Sequence, residues 1–321
     1  MKLAFVFPGQ GSQSVGMLGS FADDAAVAQV VQRASRSLGQ DLGRLIAEGP
    51  AAELDLTVNT QPCMLTCSVA MYQAWLAAGG PAPAIVAGHS LGEYAALVAA
   101  QVLTLEQAVP LVRYRAQVMQ EAVPVGTSGM AAVLGLDDDA VRAACARAQQ
   151  EMRAAAPAAA AVVEPVNFNA PLQVVIAGHS AALARACEIA KEMGAKRALP
   201  LPVSVAFHSS LLESASRLLR ERLAQLELRA PAMPVVNNID VSIETVPGTI
   251  AEALARQVAG PVRWTEVVAR LAAEGVTHVV ECGPGKVLTG LNKRIAPSLA
   301  SLSVSDRGSL REALTILKGA A

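Results

Sequence analysis

Along the chain, short apolar runs that stop at glycine or proline alternate with longer stretches whose apolar residues recur at helical spacing. Residues 2–7 (KLAFVF) form one such run ended by Pro8 and Gly9, and residues 84–87 (AIVA) form another ended by Gly88. Each predicts a buried strand feeding a turn, with a helix after it. Residues 57–92 carry no Lys, Arg, Asp or Glu. Their longest unbroken part, 62–78, contains Thr66, Ser68 and Gln73 and falls short of the ~20 apolar residues a bilayer span needs, so it predicts a buried helix. Thr104 and Gln107 have capping-box spacing and open a further helix that carries Arg113, Arg115 and Met119. Pro110 lies inside it and lacks a backbone donor, which predicts a kink or a later start.

The middle of the chain predicts strand at 130–134, helix at 137–149, strands at 162–167 and 173–177, helix at 180–193 and strand at 197–201. That is the β-α-β-β-α-β order of the ferredoxin-like split motif. VPVG at 123–126 and LPLP at 199–202 bracket it as two crossing linkers. The expectation is a small domain, 126–202, inserted into a larger α/β domain built from 1–125 and 203–321. From residue 203 onward, helical patterns at 209–228 and 263–274 alternate with apolar runs at 235–236 and 278–280, as in a parallel sheet covered by helices. The alanine-rich stretch 153–163 is of low complexity and reads as a mobile connector.

The chain has 321 residues, 53% of them hydrophobic, enough to bury a large core. With 26 Lys+Arg against 27 Asp+Glu and only 3% aromatic residues, it offers neither a basic footprint nor stacking rings for nucleic acid. The N-terminal apolar run is too short for a signal peptide, so a cytoplasmic chain is expected, without a membrane partner. Cys63, Cys67, Cys145, Cys187 and Cys282 are an odd set, and the first two have no His or second Cys pair nearby to complete a zinc site. Free buried thiols, no metal, no resident cofactor and a monomer are the expectations.

Gly88-His89-Ser90-Leu91-Gly92 follows a predicted strand and precedes a helical stretch, the G-x-S-x-G pattern of a nucleophile elbow. A plain strand-to-helix turn with Ser90 as N-cap is the competing reading. The chain holds its own control in Gly178-His179-Ser180-Ala181-Ala182, which lacks the second glycine; Ser180 reads as an N-cap. A serine nucleophile needs a base. His89 and His179 adjoin their serines, and His278 lies in an apolar strand pattern and reads as a satisfied core residue. His208 sits in a loop before a long helix, where the helix N-terminus favours a neutral ring, and is the candidate base. No acid stands at a usable spacing for a third triad member. A backbone carbonyl is expected to orient the ring.

Gly9-Gln10-Gly11-Ser12-Gln13 lacks the lysine and the spacing of a phosphate loop. Its functional reading is a donor loop in which the Gln10 amide and the Leu91 amide form an oxyanion hole; the competing reading is an ordinary turn. Arg115 and Met119 share a helix face. A buried arginine beside a serine nucleophile would select an acyl group ending in a carboxylate, while a surface ion pair is the commoner fate of an arginine.

PGQGSQ (8–13), GHSLGEY (88–94), Arg115, VNFN (166–169), AFHS (206–209) and GPGKVLTGL (283–291) together resemble the bacterial malonyl-CoA:acyl-carrier-protein transacylases, in order and over nearly the whole chain. The resemblance implies an α/β-hydrolase-like parallel-sheet domain with the ferredoxin-like insert. It implies Ser90 as the acylated nucleophile, His208 as its base, Arg115 as the malonyl carboxylate site, Gln10 and Leu91 as oxyanion donors, and Gln257 as the residue whose carbonyl orients the histidine. The implied activity transfers malonyl from malonyl-CoA to the phosphopantetheine thiol of acyl carrier protein through a malonyl-serine, for fatty acid synthesis. A trans-acting malonyl acyltransferase of a polyketide synthase is the alternative, followed by a serine hydrolase or thioesterase. Lys286, Lys293 and Arg294 are basic enough to meet an acidic carrier, and a solvated face explains them equally well.

Overall fold

A computed structural model of the chain describes residues 1–155, 161–203 and 205–319. Of the stretch read as a mobile connector, 153–163, residues 156–160 lie outside the described residues, while 153–155 belong to the helix Asp138–Ala155 and Val163 opens a strand, so its ends are not connector. In chain order the described strands are β1 (Leu3–Phe7), β2 (Ile85–Gly88), β3 (Ser128–Leu134), β4 (Val163–Ala170), β5 (Gln173–His179), β6 (Arg197–Pro200), β7 (Val235–Val236), β8 (His278–Cys282) and β9 (Ala300–Val304). Their contacts divide the chain into two compact units. One comprises Met1–Gln117, Leu226–Ile250 and Val267–Ala321, the other Val118–Gln225 and Ala251–Glu266. The expected insert, 126–202, falls within the second unit, which also takes in 118–125, 203–225 and 251–266.

The first unit holds a five-stranded parallel sheet in the order β7-β2-β1-β8-β9. Every residue of β1 and β2 is buried, as continuous apolar runs in a sheet covered on both faces must be. The first part of the charge-free segment forms the helix Thr57–Ala77, buried along most of its length. It packs on β1 through edge-on aromatic contacts of Phe5 with Tyr72 and Trp75, at 5.6 and 5.3 Å between ring centres. Because the strands are parallel, their carboxyl ends share one edge. The loops after β1, β2, β7 and β8 therefore open on the same side, where open α/β sheets place their sites.

The second unit holds a four-stranded antiparallel sheet in the order β4-β5-β3-β6. With the helices Asp138–Ala155 and Ser180–Glu192 this is the split β-α-β-β-α-β arrangement. Its core joins Val133, Ile176 and Val174 of the sheet to Val141, Ala186 and Ile189 of the helices.

Four local expectations are corrected in whole or in part. The helix bearing Arg115 runs without a later start from Leu105 to Glu121, with Pro110 inside it. The Thr104–Gln107 capping box forms in both directions, at 2.9 and 3.2 Å, and fixes that start upstream of the proline. Ser180 is the first helical residue, with His179 in the N-cap position and no side-chain cap, and the Ser180 hydroxyl donates to the Gly126 carbonyl instead of capping. His278 opens β8 half-buried, hydrogen-bonded to the hydroxyl of Thr277 at 2.9 Å, and is no core residue. The helix expected over 209–228 is shorter: a 3-10 turn, Ser210–Leu212, leads into Glu213–Leu223.

Candidate active site

At the carboxyl end of β2 the chain reverses through His89 and Ser90 into the helix Gly92–Ala99. Ser90 sits at φ 51°, in the left-handed region that side chains avoid. Such a backbone costs on the order of 1–3 kcal/mol and persists only where its surroundings enforce it. The glycines of the motif supply the room. A Cβ on Gly88 would lie 2.0 Å from the Gly92 carbonyl carbon, and one on Gly92 would lie 2.0 Å from the Phe7 carbonyl oxygen. Hydrogen bonds hold the turn. Asn238, fully buried just beyond β7, accepts from the Ser90 amide at 2.6 Å and donates to the Gly88 carbonyl at 2.7 Å. Its own amide donates to the buried Glu93 carboxylate at 3.0 Å.

The Gln10 loop lies against this elbow, close enough that a Cβ on Gly9 would meet the His89 carbonyl oxygen at 2.7 Å. Among the described residues the backbone amides of Gln10 and Leu91 have no acceptor. Leu91 caps the N-terminus of Gly92–Ala99, so its amide points along the positive end of that helix. Two open amides beside a serine hydroxyl are the components of an oxyanion hole. From the far side, Gly283 and Gly285 of the loop after β8 support Pro8 and Ser12, within about 3 Å of a virtual Cβ in each case.

Arg115 is 1% exposed. Its Nη2 donates to the Ser90 hydroxyl at 3.2 Å and its Nη1 to Gln61 Oε1 at 3.0 Å. Gln61 in turn donates through Nε2 to Gln10 Oε1 at 3.0 Å, so a chain of side chains links the guanidinium to the donor loop. The guanidinium carbon stands 5.5 Å from the Tyr94 ring centre. Burial pulls Arg115 below the ordinary arginine value, against the opposing pull of Tyr94 and Glu93, and an arginine keeps its charge regardless. Burial likewise pushes the Tyr94 phenol up to about 12, keeping it neutral.

His208 and Gln257 belong to the second unit. His208 is 4% exposed and adopts φ 66°, a second left-handed residue. Its Nδ1 lies 2.8 Å from the Gln257 carbonyl oxygen. A carbonyl can only accept, so Nδ1 carries the proton and Nε2 of the neutral ring keeps its lone pair for a general base. The carbonyl is anchored on both sides. Ser216 donates to the Ala255 carbonyl at 2.7 Å, and Val262 pairs with the VNFN segment through Val262 N to Val166 O at 2.8 Å and Phe168 N to Val262 O at 2.9 Å. Met119 is buried one turn after Arg115 in the same helix.

Gln61, Glu93 and Asn238 were not singled out by the sequence reading. Two signals pointed to them. Gln61 is a polar side chain in a charge-free buried helix, where it must find a partner, and Asn237-Asn238 ends the apolar run 235–236 where a ladder would otherwise stop. Among the described residues no cluster of His, Cys, Asp or Glu is arranged to hold a metal ion. Nor is any described helix long and apolar enough to cross a membrane. The cysteines are unpaired, four of them buried and Cys187 half-buried.

The fold and its elbow define an acyl transferase, and the profile of the Acyl transferase domain family matches residues 4–301. The malonyl CoA-acyl carrier protein transacylase of Escherichia coli is 51% identical over 319 residues, 98% of this chain and 99% of that protein. That of Bacillus subtilis is 42% identical, covering 99% and 98%. The crystal structure of an acyl-carrier-protein S-malonyltransferase from Burkholderia pseudomallei superposes with a TM-score of 0.94 at 63% identity, covering 98% of this chain and all of that one. A malonyl-transacylase solved in complex with a type II PKS acyl-carrier protein superposes with a TM-score of 0.94 at 47% identity over the same shares. The chain belongs to the malonyl CoA-acyl carrier protein transacylase family.

Proposed function

We propose that this chain moves malonyl from malonyl-CoA to the phosphopantetheine thiol of an acyl carrier protein, with Ser90 as the nucleophile, His208 as its base and Arg115 as the carboxylate site. The observation that carries this reading is the 3.2 Å contact between Arg115 Nη2 and the Ser90 hydroxyl. In a malonyl thioester a single methylene separates the carboxylate from the reacting carbonyl. A guanidinium in contact with the nucleophile therefore suits a short diacid and leaves a simple acetyl group without its anchor.

In the first half-reaction the Ser90 hydroxyl gives its proton to Nε2 of His208 as its oxygen bonds to the thioester carbon. The developing oxyanion is met by the Gln10 and Leu91 amides. Collapse breaks the carbon–sulfur bond, and coenzyme A leaves with the proton from His208. In the second half, the carrier's pantetheine thiol gives its proton to His208 and its sulfur attacks the malonyl-serine ester; Ser90 recovers its proton as it leaves. The Gln257 carbonyl holds the ring and steadies the imidazolium that forms in each half. Met119 is read as part of the acyl-binding surface.

The chemistry needs no resident cofactor, because the phosphopantetheine arrives on the carrier. Fatty acid synthesis in the cytoplasm is the pathway this reading assigns. Loading of a polyketide carrier is the second reading, favoured by the type II PKS carrier bound to one relative. Initial rates measured against malonyl-CoA at several holo-carrier concentrations test the scheme. Parallel double-reciprocal lines are expected from a covalent intermediate; intersecting lines would overturn it. Repeating the assay with fatty acid and polyketide carriers separates the two pathways by kcat/KM.

A further inference from the structure

The geometry points to Asn238 as the positioning residue that sets the Ser90 elbow in its reactive conformation, a role that rests on Ser90 being the nucleophile. Parallel pairing of β2 with β7 runs through Val86 with Val235 and Ala87 with Val236, and then ends. Directly beyond it, the Asn238 side chain takes over the bonds a neighbouring strand would make. Its Oδ1 accepts from the Ser90 amide at 2.6 Å and its Nδ2 donates to the Gly88 carbonyl at 2.7 Å. One amide head thus ties the residue before the turn to the residue held at φ 51°. Glu93, in the first turn of the following helix, accepts the Asn238 backbone amide at 3.0 Å and fixes the clamp from the other side.

The site requires a group that is donor and acceptor at once, and it explains why asparagine stands here. Aspartate of the same shape would keep the bond from the Ser90 amide, lose the bond to Gly88 and set a second carboxylate beside Glu93. Protonation of that aspartate restores a donor, so its defect is expected to ease as pH falls. Alanine offers neither bond at any pH.

The test compares wild type, Asn238→Ala, Asn238→Asp and Ser90→Ala for malonyl transfer across pH, with KM for malonyl-CoA measured at each point. Asn238→Ala is expected to lose about 100-fold in kcat with KM changed less than threefold, since Arg115 is untouched. The ratio of Asn238→Asp to wild-type kcat is expected to rise severalfold between about pH 8 and pH 5.5, while the alanine ratio stays flat. Taking ratios removes the titration of His208, which all three share. If alanine fails to fold, the isosteric aspartate and its pH profile decide alone. A loss expressed in KM, or an aspartate ratio that does not move with pH, overturns the role of Asn238. Full malonyl labelling of Ser90→Ala would instead sink the nucleophile assignment, a separable result.

Discussion

Nδ1 of His208 lies 2.8 Å from the carbonyl oxygen of Gln257, so a backbone group does the orienting that an acidic side chain performs in a serine triad. As the proposed base, His208 is expected to be worth about 100- to 10,000-fold in kcat. The substitution that measures it has to tolerate φ 66°, and asparagine is among the few residues that do. His208→Asn should keep the wild-type thermal midpoint within a few degrees while transfer falls by that factor. A loss below tenfold would remove His208 from the mechanism.

Arg115 makes the second prediction. Hydrogen bonds to a charged group are each worth about 1.5–3 kcal/mol, and a carboxylate gripped by both arms of the fork loses two of them on truncation. Arg115→Ala should lower kcat/KM for malonyl-CoA by at least 100-fold and narrow the preference over acetyl-CoA. Arg115→Lys should recover only part of it, because an ammonium cannot hold both carboxylate oxygens and bridge to Gln61. Unchanged malonyl selectivity in the alanine variant would place substrate recognition elsewhere.

The donor loop can be moved without touching a catalytic side chain. A Cβ at Gly9 would meet the His89 carbonyl oxygen at 2.7 Å, so Gly9→Ala has to push the Gln10 amide outward. Losing one oxyanion donor raises the barrier by about 2.7–4 kcal/mol. The expected outcome is a 100- to 1000-fold drop in kcat with little change in KM for malonyl-CoA. A variant that folds and retains full kcat would show that Gln10 does not serve the oxyanion.

Glu281 predicts how stability follows pH. It is fully buried in β8, accepts from the Leu288 amide, the Thr289 amide and the Thr289 hydroxyl, and so caps the helix Val287–Ile295. Burial nevertheless raises its carboxyl above the ordinary glutamate value, with those bonds opposing the shift. Between the ordinary and the raised value the folded chain holds a proton that the unfolded chain has released. Stability from this group is therefore highest below that window and falls as pH rises through it. Glu281→Gln does not titrate. The thermal midpoint of wild type minus that of the variant should shrink as pH rises through that window; a constant difference would mean that Glu281 carries no shifted proton.

Much of this arrangement could be read along the chain because its signals are local. The elbow needs glycines at 88 and 92 beside a strand end, the capping box needs Thr104 and Gln107, and the β-α-β-β-α-β order shows in the periodicity of 130–201. What the local pattern does not carry depends on pairing across long separations. Asn238 meets Ser90 from 148 residues away and Gln61 meets Arg115 from 54, and an isolated Asn or Gln advertises no partner. An apolar strand pattern does not fix the burial of its first position, and His278 opens β8 only half-buried. Pro110 shows a strong local cap outweighing a local breaker, since the helix begins at Leu105 despite it.

Intact-mass spectrometry after mixing with malonyl-CoA or acetyl-CoA tests the central chemistry most directly, with wild type, Ser90→Ala and Arg115→Ala compared side by side. Wild type is expected to gain one malonyl group and almost no acetyl, Ser90→Ala neither, and Arg115→Ala to lose the preference for malonyl. A full malonyl adduct on Ser90→Ala, or equal acetyl and malonyl loading of wild type, would contradict a serine nucleophile set beside a carboxylate-reading arginine.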